Sequence, residues 1–246
     1  MNTYKKSPFS FRLDNYQGKD NLERIVNYDD GRIYCGQVGR GGDVAEGRGY
    51  LLAADRGTLM VGYFEGGEIN GPGQITAVGC NKADCNERVI KESTLRVPCI
   101  ITGYFTSNII QGYGTYSNGS DHTYKGQWKD GKWHGEGVEI KDNLYTYTGT
   151  FKSDSKHGQG TLVDKSNDYT YTGSFRQDQF EGYGQLTRLD GRVHTGYWHK
   201  GQMHGMGRID WPDGQSYEGK FINGVMEGPG IIVSSDGSKY YGEFKG

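Results

Sequence analysis

The spacing of glycines and aromatic residues along this chain leaves few folds open to it. From Tyr124 to Gly137 the sequence reads Tyr-Lys-Gly-Gln-Trp-Lys-Asp-Gly-Lys-Trp-His-Gly-Glu-Gly, and the same skeleton returns along nearly the whole length. From the opening tyrosine, glycine falls two, eleven and thirteen positions later, at Gly126, Gly135 and Gly137, with an aromatic ring four positions later at Trp128. Copies open at Tyr34, Met60, Ile101, Tyr124, Tyr147, Tyr171, His194, Tyr217 and Tyr240. Where nothing intervenes they are about twenty-three residues apart, a period that belongs to solenoids and arrays.

The alternation Tyr-x-Gly-x-Trp places Tyr124, Gly126 and Trp128 on one face of an extended strand, the face expected to be buried. A glycine between two rings leaves a shallow site, for which a ring from the neighbouring strand is the expected filler. Seven positions after each opening residue stand Gly41, Gly67, Asn108, Gly131, Asp154, Asp178, Gly201 and Gly224, types that tolerate a left-handed backbone. Each copy therefore reads as strand, tight turn, strand. A second set of turns, at Asn118-Gly119, Asp190-Gly191, Asp213-Gly214 and Asp236-Gly237, passes the chain to the next copy. The expected fold is all-β: an elongated single-layer antiparallel meander of tandem hairpins.

This pattern resembles the membrane occupation and recognition nexus (MORN) repeat, whose motif is Tyr-x-Gly-x-Trp/Phe followed by Gly-x-Gly. The resemblance runs from about Tyr34 to Gly246. Glycine fills the second-position slot at Gly36, Gly62, Gly103, Gly126, Gly149, Gly173, Gly196, Gly219 and Gly242. The aromatic slot holds Phe64, Phe105, Trp128, Phe151, Phe175, Trp198, Phe221 and Phe244, and Val38 departs from it. The resemblance implies a scaffold or adaptor that binds a protein partner. Its name suggests a second role at membranes or phosphoinositides. Similar repeats also precede lipid-kinase and SET methyltransferase domains, so a targeting or regulatory region of a larger enzyme, in a reading frame continuing past Gly246, is a third reading.

Composition narrows the classes further. Hydrophobic residues make up 33% of the 246, too thin for a deep layered core, whereas 42 glycines and 13% aromatics suit a shallow sheet. The 28 basic and 30 acidic side chains are intermixed, which implies no nucleic-acid footprint. With no long apolar run and no signal-peptide pattern at the start, the expected setting is intracellular, cytoplasmic or at the periphery of cytoskeleton or membrane.

Residues 1–31 carry no clear copy of the skeleton; Tyr16-Gln17-Gly18 is a weak echo, and Leu22, Ile25 and Val26 have helical spacing. They are expected to cap the array, with Pro8-Phe9-Ser10-Phe11 the one candidate tail motif. Residues 32–246 form the array, about eight full copies and a C-terminal half copy. The first copy has its Gly-x-Gly pair two residues late, at Gly47 and Gly49, so its turn is expected to be longer. An insertion falls at about 74–98, holding Cys80 and Cys85, with Cys99 beside it. Cys-x4-Cys without a second pair does not complete a zinc site. His134, His157 and His204 share the slot before Gly-x-Gly, but equivalent residues two strands apart are roughly 9 to 10 Å from each other, too far to share one ion. Glu46, Asn70, Gln111, Glu181 and Glu227 fill that slot elsewhere, so its requirement reads as a polar side chain near a turn. Neither a catalytic motif nor a phosphate loop is present, and no enzyme, metal or cofactor is expected.

The leading reading is a concave, aromatic-lined sheet surface that holds an extended or helical segment of another protein. Candidate anchors are Trp128, Trp133, Trp198, Trp211, Tyr145, Tyr169, Tyr183 and Tyr197, since Trp and Tyr dominate interface hot spots. Trp128 and Trp198 occupy the core slot, which favours Trp133 and Trp211. For an anionic lipid, Lys125, Lys129, Lys132, Lys152 and Lys156 would form a basic strip on the face opposite the rings. The last strand, Tyr240, Tyr241, Gly242, Glu243, Phe244 and Lys245, is a candidate edge for a homodimer.

Overall fold

The computed structural model of the chain describes residues 23–55, 57–78 and 98–246. They form one open antiparallel sheet of eighteen strands, with no helix among them. The first copies comprise β1 (Glu23–Asn27), β2 (Ile33–Val38), β3 (Ala45–Leu52), β4 (Thr58–Glu65), β5 (Glu68–Val78), β6 (Pro98–Thr106), β7 (Ile109–Ser117), β8 (His122–Lys129) and β9 (Lys132–Lys141). The rest are β10 (Tyr145–Lys152), β11 (Ser155–Asp164), β12 (Tyr169–Arg176), β13 (Gln179–Arg188), β14 (Val193–His199), β15 (Gln202–Asp210), β16 (Ser216–Ile222), β17 (Val225–Val233) and β18 (Lys239–Phe244). Each strand pairs with the next in sequence, so the sheet is the expected meander.

The turns have a chemical cause. At Asp130-Gly131 both residues take positive φ, 52° and 75°, the pair required by a two-residue hairpin turn whose twist matches its strands. Ser107, Ser153, Gln177 and Lys200 adopt positive φ at the same place without being glycine. The first copy departs as its late glycines predict: Gly39 donates to Val44 O across a longer loop.

A register shift between Gly126 and Trp128 marks a bulge, which Gly135 serves at φ 58° on the facing strand. The bulge explains why the opening residue is tyrosine. Tyr124 lies back along its own strand, and its hydroxyl donates to Gln127 O at 2.8 Å. A Cβ on Gly126 would stand 2.5 Å from that hydroxyl, and one on Gly137 would stand 2.6 Å from the ring. The expected filler was a ring from the neighbouring strand. The structure instead uses the tyrosine two residues earlier in the same strand, because its length spans both glycines and ends at a free carbonyl. The same bond recurs from Tyr34 to Gln37, Tyr147 to Thr150, Tyr171 to Ser174 and Tyr217 to Lys220.

Where the opener is not tyrosine, the residue nine positions later takes over. Ile69 and Ile110 reach over both glycines of the copies opened by Met60 and Ile101, and Met203 reaches over Gly207 in the copy opened by His194. Where tyrosine is present, that later slot lies on top of it: Trp133 stacks on Tyr124 at 4.3 Å and Phe180 on Tyr171 at 3.7 Å.

Consecutive hairpins are tied at their tips. The turn amide of Asp154 donates to Trp133 O at 3.0 Å, and the Asp154 carboxylate accepts from Trp133 N at 2.8 Å. Gln111 Oε1 and Glu181 Oε2 accept the amides of Asp130 and Lys200 in the next turn, the polar role expected of the slot before Gly-x-Gly. Aromatic edges add to this: Tyr147 has Phe151 of its own copy and Phe175 of the next at 5.0 Å each. Stability is thus distributed between neighbours.

Two expectations shift. Ile25 and Val26 stand in strand β1 rather than a helix, with Val26 packed on the core, because β2 offers a partner edge. Gln74–Val78 extend β5 and Pro98 begins β6, so the insertion shortens to 79–97, outside the described residues, as do Pro8–Phe11, Tyr16–Gly18 and Leu22. Cys80 and Cys85 lie there too. Cys99 is buried in β6.

Candidate binding surface

Cross-strand partners share a face, and this assigns each candidate. Trp128 pairs with Trp133 across the Asp130-Gly131 turn, so both point inward and both are buried. Trp133 is therefore a core ring and not an accessible anchor; Trp198 is buried as well, its Nε1 donating to Gly184 O at 3.1 Å. Trp211 is half-buried against the core. Tyr145 and Tyr169 are also half-buried and inward. Burial, with the Asp164 carboxylate beside it, pushes the Tyr169 hydroxyl up to about 12.

Tyr183 and Tyr197 are different. They face each other across β13 and β14 on the outward face, edge to face at 5.5 Å, and are 58% and 54% exposed. The slots they occupy, three and twelve positions after the opener, hold three further tyrosines that sequence reasoning missed: Tyr63 at 39%, Tyr104 at 54% and Tyr113 at 61% exposed. The signal was present, since each stands next to an inward glycine and must point the other way. Before the last strand, where Tyr240 is exposed, the rings that line the inward face are buried or half-buried, and the exposed tyrosines point outward.

The basic strip is divided. Lys125, Lys129, Lys132 and Lys152 are exposed. Lys156 is on the ring face: Phe151 is its cross-strand partner, its Nζ lies 4.6 Å from the centre of the Tyr145 ring, and it binds Glu139 at 2.9 Å. Glu139 is a buried carboxylate that also meets His122 Nε2 at 2.9 Å and the Tyr145 hydroxyl at 3.0 Å. Desolvation opposes its charge, but His122, Lys156 and Tyr145 together outweigh it and hold the carboxyl down at about 2.

Among the described residues no three His, Cys, Asp or Glu side chains are grouped to hold a metal ion, and His134, His157 and His204 stand on β9, β11 and β15, two and four strands apart. No described helix is long and apolar enough to cross a membrane. Tyr240, Tyr241, Gly242, Glu243 and Phe244 lie in β18, with Lys245 just after it; Phe244 packs on Tyr217.

Tandem hairpins, a glycine-spanning tyrosine in most copies and turn-to-turn hydrogen bonds define a single-layer β-repeat protein. The chain belongs to the MORN repeat family: the family model matches residues 102–121, 124–143, 147–169, 171–191, 194–216 and 217–239. No curated protein matches the chain. Among solved structures it is similar to the wild-type TCP10 domain of Danio rerio CPAP, in complex with a peptide of Danio rerio STIL, at 12% identity. That match covers 91% of this chain and 99% of the other with a TM-score of 0.34, a likeness too loose to carry a role from one to the other.

Proposed function

We propose that this MORN protein is a non-catalytic intracellular scaffold that holds a segment of a protein partner along the outward face of its sheet. One observation carries the reading: Tyr63, Tyr104, Tyr113, Tyr183 and Tyr197 stand exposed at the two outward slots beside the glycines, while the inward rings before the last strand are buried or half-buried. Tyrosine supplies large contact area at small entropic cost and is enriched at interface hot spots. A photo-cross-linking residue in place of Tyr104 or Tyr197 is expected to trap the same protein in cells. Trapping of that protein equally well from the inward position of Tyr169 would contradict the face assignment.

A second reading rests on the exposed Lys125, Lys129, Lys132 and Lys152, which suit an anionic lipid surface. Flotation with vesicles containing an anionic lipid, and not with neutral ones, is its expected sign. Self-association through β18, where Tyr240 and Tyr241 are exposed, is the proposed oligomeric contact. Light scattering on a chain ending at Lys239 is expected to give a monomer.

A further inference from the structure

We propose that His194 makes the copy formed by β14 and β15 an acid-sensitive link, in which mild acid loosens β14 and parts the outward Tyr183–Tyr197 pair. As regulation of a binding face this rests on the scaffold reading; the loosening itself does not. His122 and His194 both stand on the ring face, and their surroundings are opposite. His122 Nε2 has the buried Glu139 carboxylate at 2.9 Å, whereas His194 Nε2 is buried without a hydrogen-bond partner. His194 is flanked by Leu186 on β13 and Ile209 on β15, both buried. The charges around it are Arg188 from the end of β13, with Asp190 and Arg192 from the turn, and Asp190 already binds Arg192 at 2.6 Å. A neutral imidazole can leave Nε2 bare. Protonation puts an N–H and a positive charge there, with no acceptor and two cations nearby. Burial first, then Arg188 and Arg192, hold His194 below the ordinary histidine range, against the smaller pull of Asp190. The unfolded segment therefore takes up the proton first, and the copy loses stability as the pH falls below about 6.5.

The local construction makes this the place to yield. Five tyrosine openers tie their hydroxyls to the carbonyl three residues on. In this copy that carbonyl belongs to Tyr197, and the unpartnered imidazole does not replace the bond. Met60 and Ile101 lack the hydroxyl as well, but neither takes up a proton. The register shift between Gly196 and Trp198 puts Tyr197 in the bulge itself, and Tyr197 faces Tyr183 across β13 and β14. Loosening β14 therefore separates those two rings. The other histidines of the copy do not share this role: His199 Nδ1 meets Glu181 Oε1 at 3.1 Å, an exposed pair that protonation strengthens slightly, and His204 lies against His199 at 5.8 Å between ring centres.

Hydrogen exchange of the full chain at about pH 7.5 and about pH 5.5, corrected for the intrinsic amide rate, tests this. Amides of β13 and β14 are expected to lose protection at least about threefold at the lower pH, relative to β2–β5, a stretch without histidine. His194→Leu, apolar like Leu186 and Ile209 beside it, should abolish that loss, and His199→Gln should keep it. His194→Gln, neutral at both pH values, should behave as His194→Leu does and serves if the leucine variant does not fold. Equal protection of β13 and β14 at the two pH values, or the same acid loss in the His194 variants, would each overturn the proposal. If β14 loosens in acid while a cross-linking residue at Tyr197 traps no partner, the switch stands and the scaffold reading fails. A partner trapped there by a chain whose β14 is indifferent to acid would leave the scaffold and remove the switch.

Discussion

The Tyr147 hydroxyl donates to the carbonyl of Thr150 at 2.9 Å, so one side chain both covers Gly149 and Gly160 and satisfies the backbone at the bulge beside them. Tyr147 is fully buried, whereas Tyr240, in the same slot of the last strand, is 58% exposed. The following copy makes the difference, through rings such as Phe175 against Tyr147. Cohesion between copies is therefore an aromatic matter as much as a backbone one.

Removing that hydroxyl separates its two roles. Tyr147→Phe keeps the ring over the glycines and leaves the Thr150 carbonyl without this donor, at an expected cost of about 1 kcal/mol. Gly149→Val should cost more, roughly 3 kcal/mol, because its Cβ would meet Gln159 O and Gly160 Cα at 2.5 Å, both backbone atoms that cannot turn aside. Lys152→Ala, at an exposed position, should change stability by less than about 0.5 kcal/mol. Urea denaturation of the three variants checks the order.

Acid should expose the buried charge cluster. Folding lowers the Glu139 carboxyl from 4.5 to about 2, so its stabilisation is complete above about pH 4.5 and is lost as the pH falls towards 2. That shift corresponds to about 3 kcal/mol. Glu139→Gln is expected to be less stable at pH 7, with a flatter decline between pH 4.5 and 2. Parallel pH–stability curves for the two proteins would contradict the assignment.

The exchange between opener and later slot predicts coupling. His194→Tyr alone should destabilise, because Met203 Cε already stands 2.5 Å from a Cβ built on Gly207, where the new ring would lie. Adding Met203→Phe recreates the stacked pair that Tyr171 and Phe180 form. The double variant is expected to recover about 1 to 3 kcal/mol relative to additivity, measured by a double-mutant cycle.

Much of this was legible in the repeat. Asp130-Gly131 gave the turn, Gly-x-Gly the facing strand, and the two-residue lag to Gly47 the long loop of the first copy. The Asp130-Gly131 turn implied that Trp128 meets Trp133, and its equivalent at Ser153-Asp154 that Phe151 meets Lys156, so both later residues could have been assigned inward by counting across the turn instead of along the strand. The bulge was harder to foresee. Its hydrogen bond joins Tyr124 to a carbonyl three residues on, a contact invisible to alternation, and with it came the same-strand filler. Glu139 inside an aromatic face breaks the pattern of its slot, where Leu162 and Leu186 stand in later copies, and its partners come from three other strands.

The division of labour between the faces predicts opposite behaviour for two kinds of ring. Trp133→Ala removes a buried, stacked indole and should cost about 3 to 5 kcal/mol.

The most direct test is recovery of the cross-linked partner by a folded chain carrying Tyr104→Ala, Tyr113→Ala, Tyr183→Ala and Tyr197→Ala together. All four side chains are outward and exposed, so the variant should melt cooperatively within a few degrees of the parent. It is predicted to lose the partner while keeping the fold. Full retention of the partner by this folded variant would place binding elsewhere on the sheet and contradict the account.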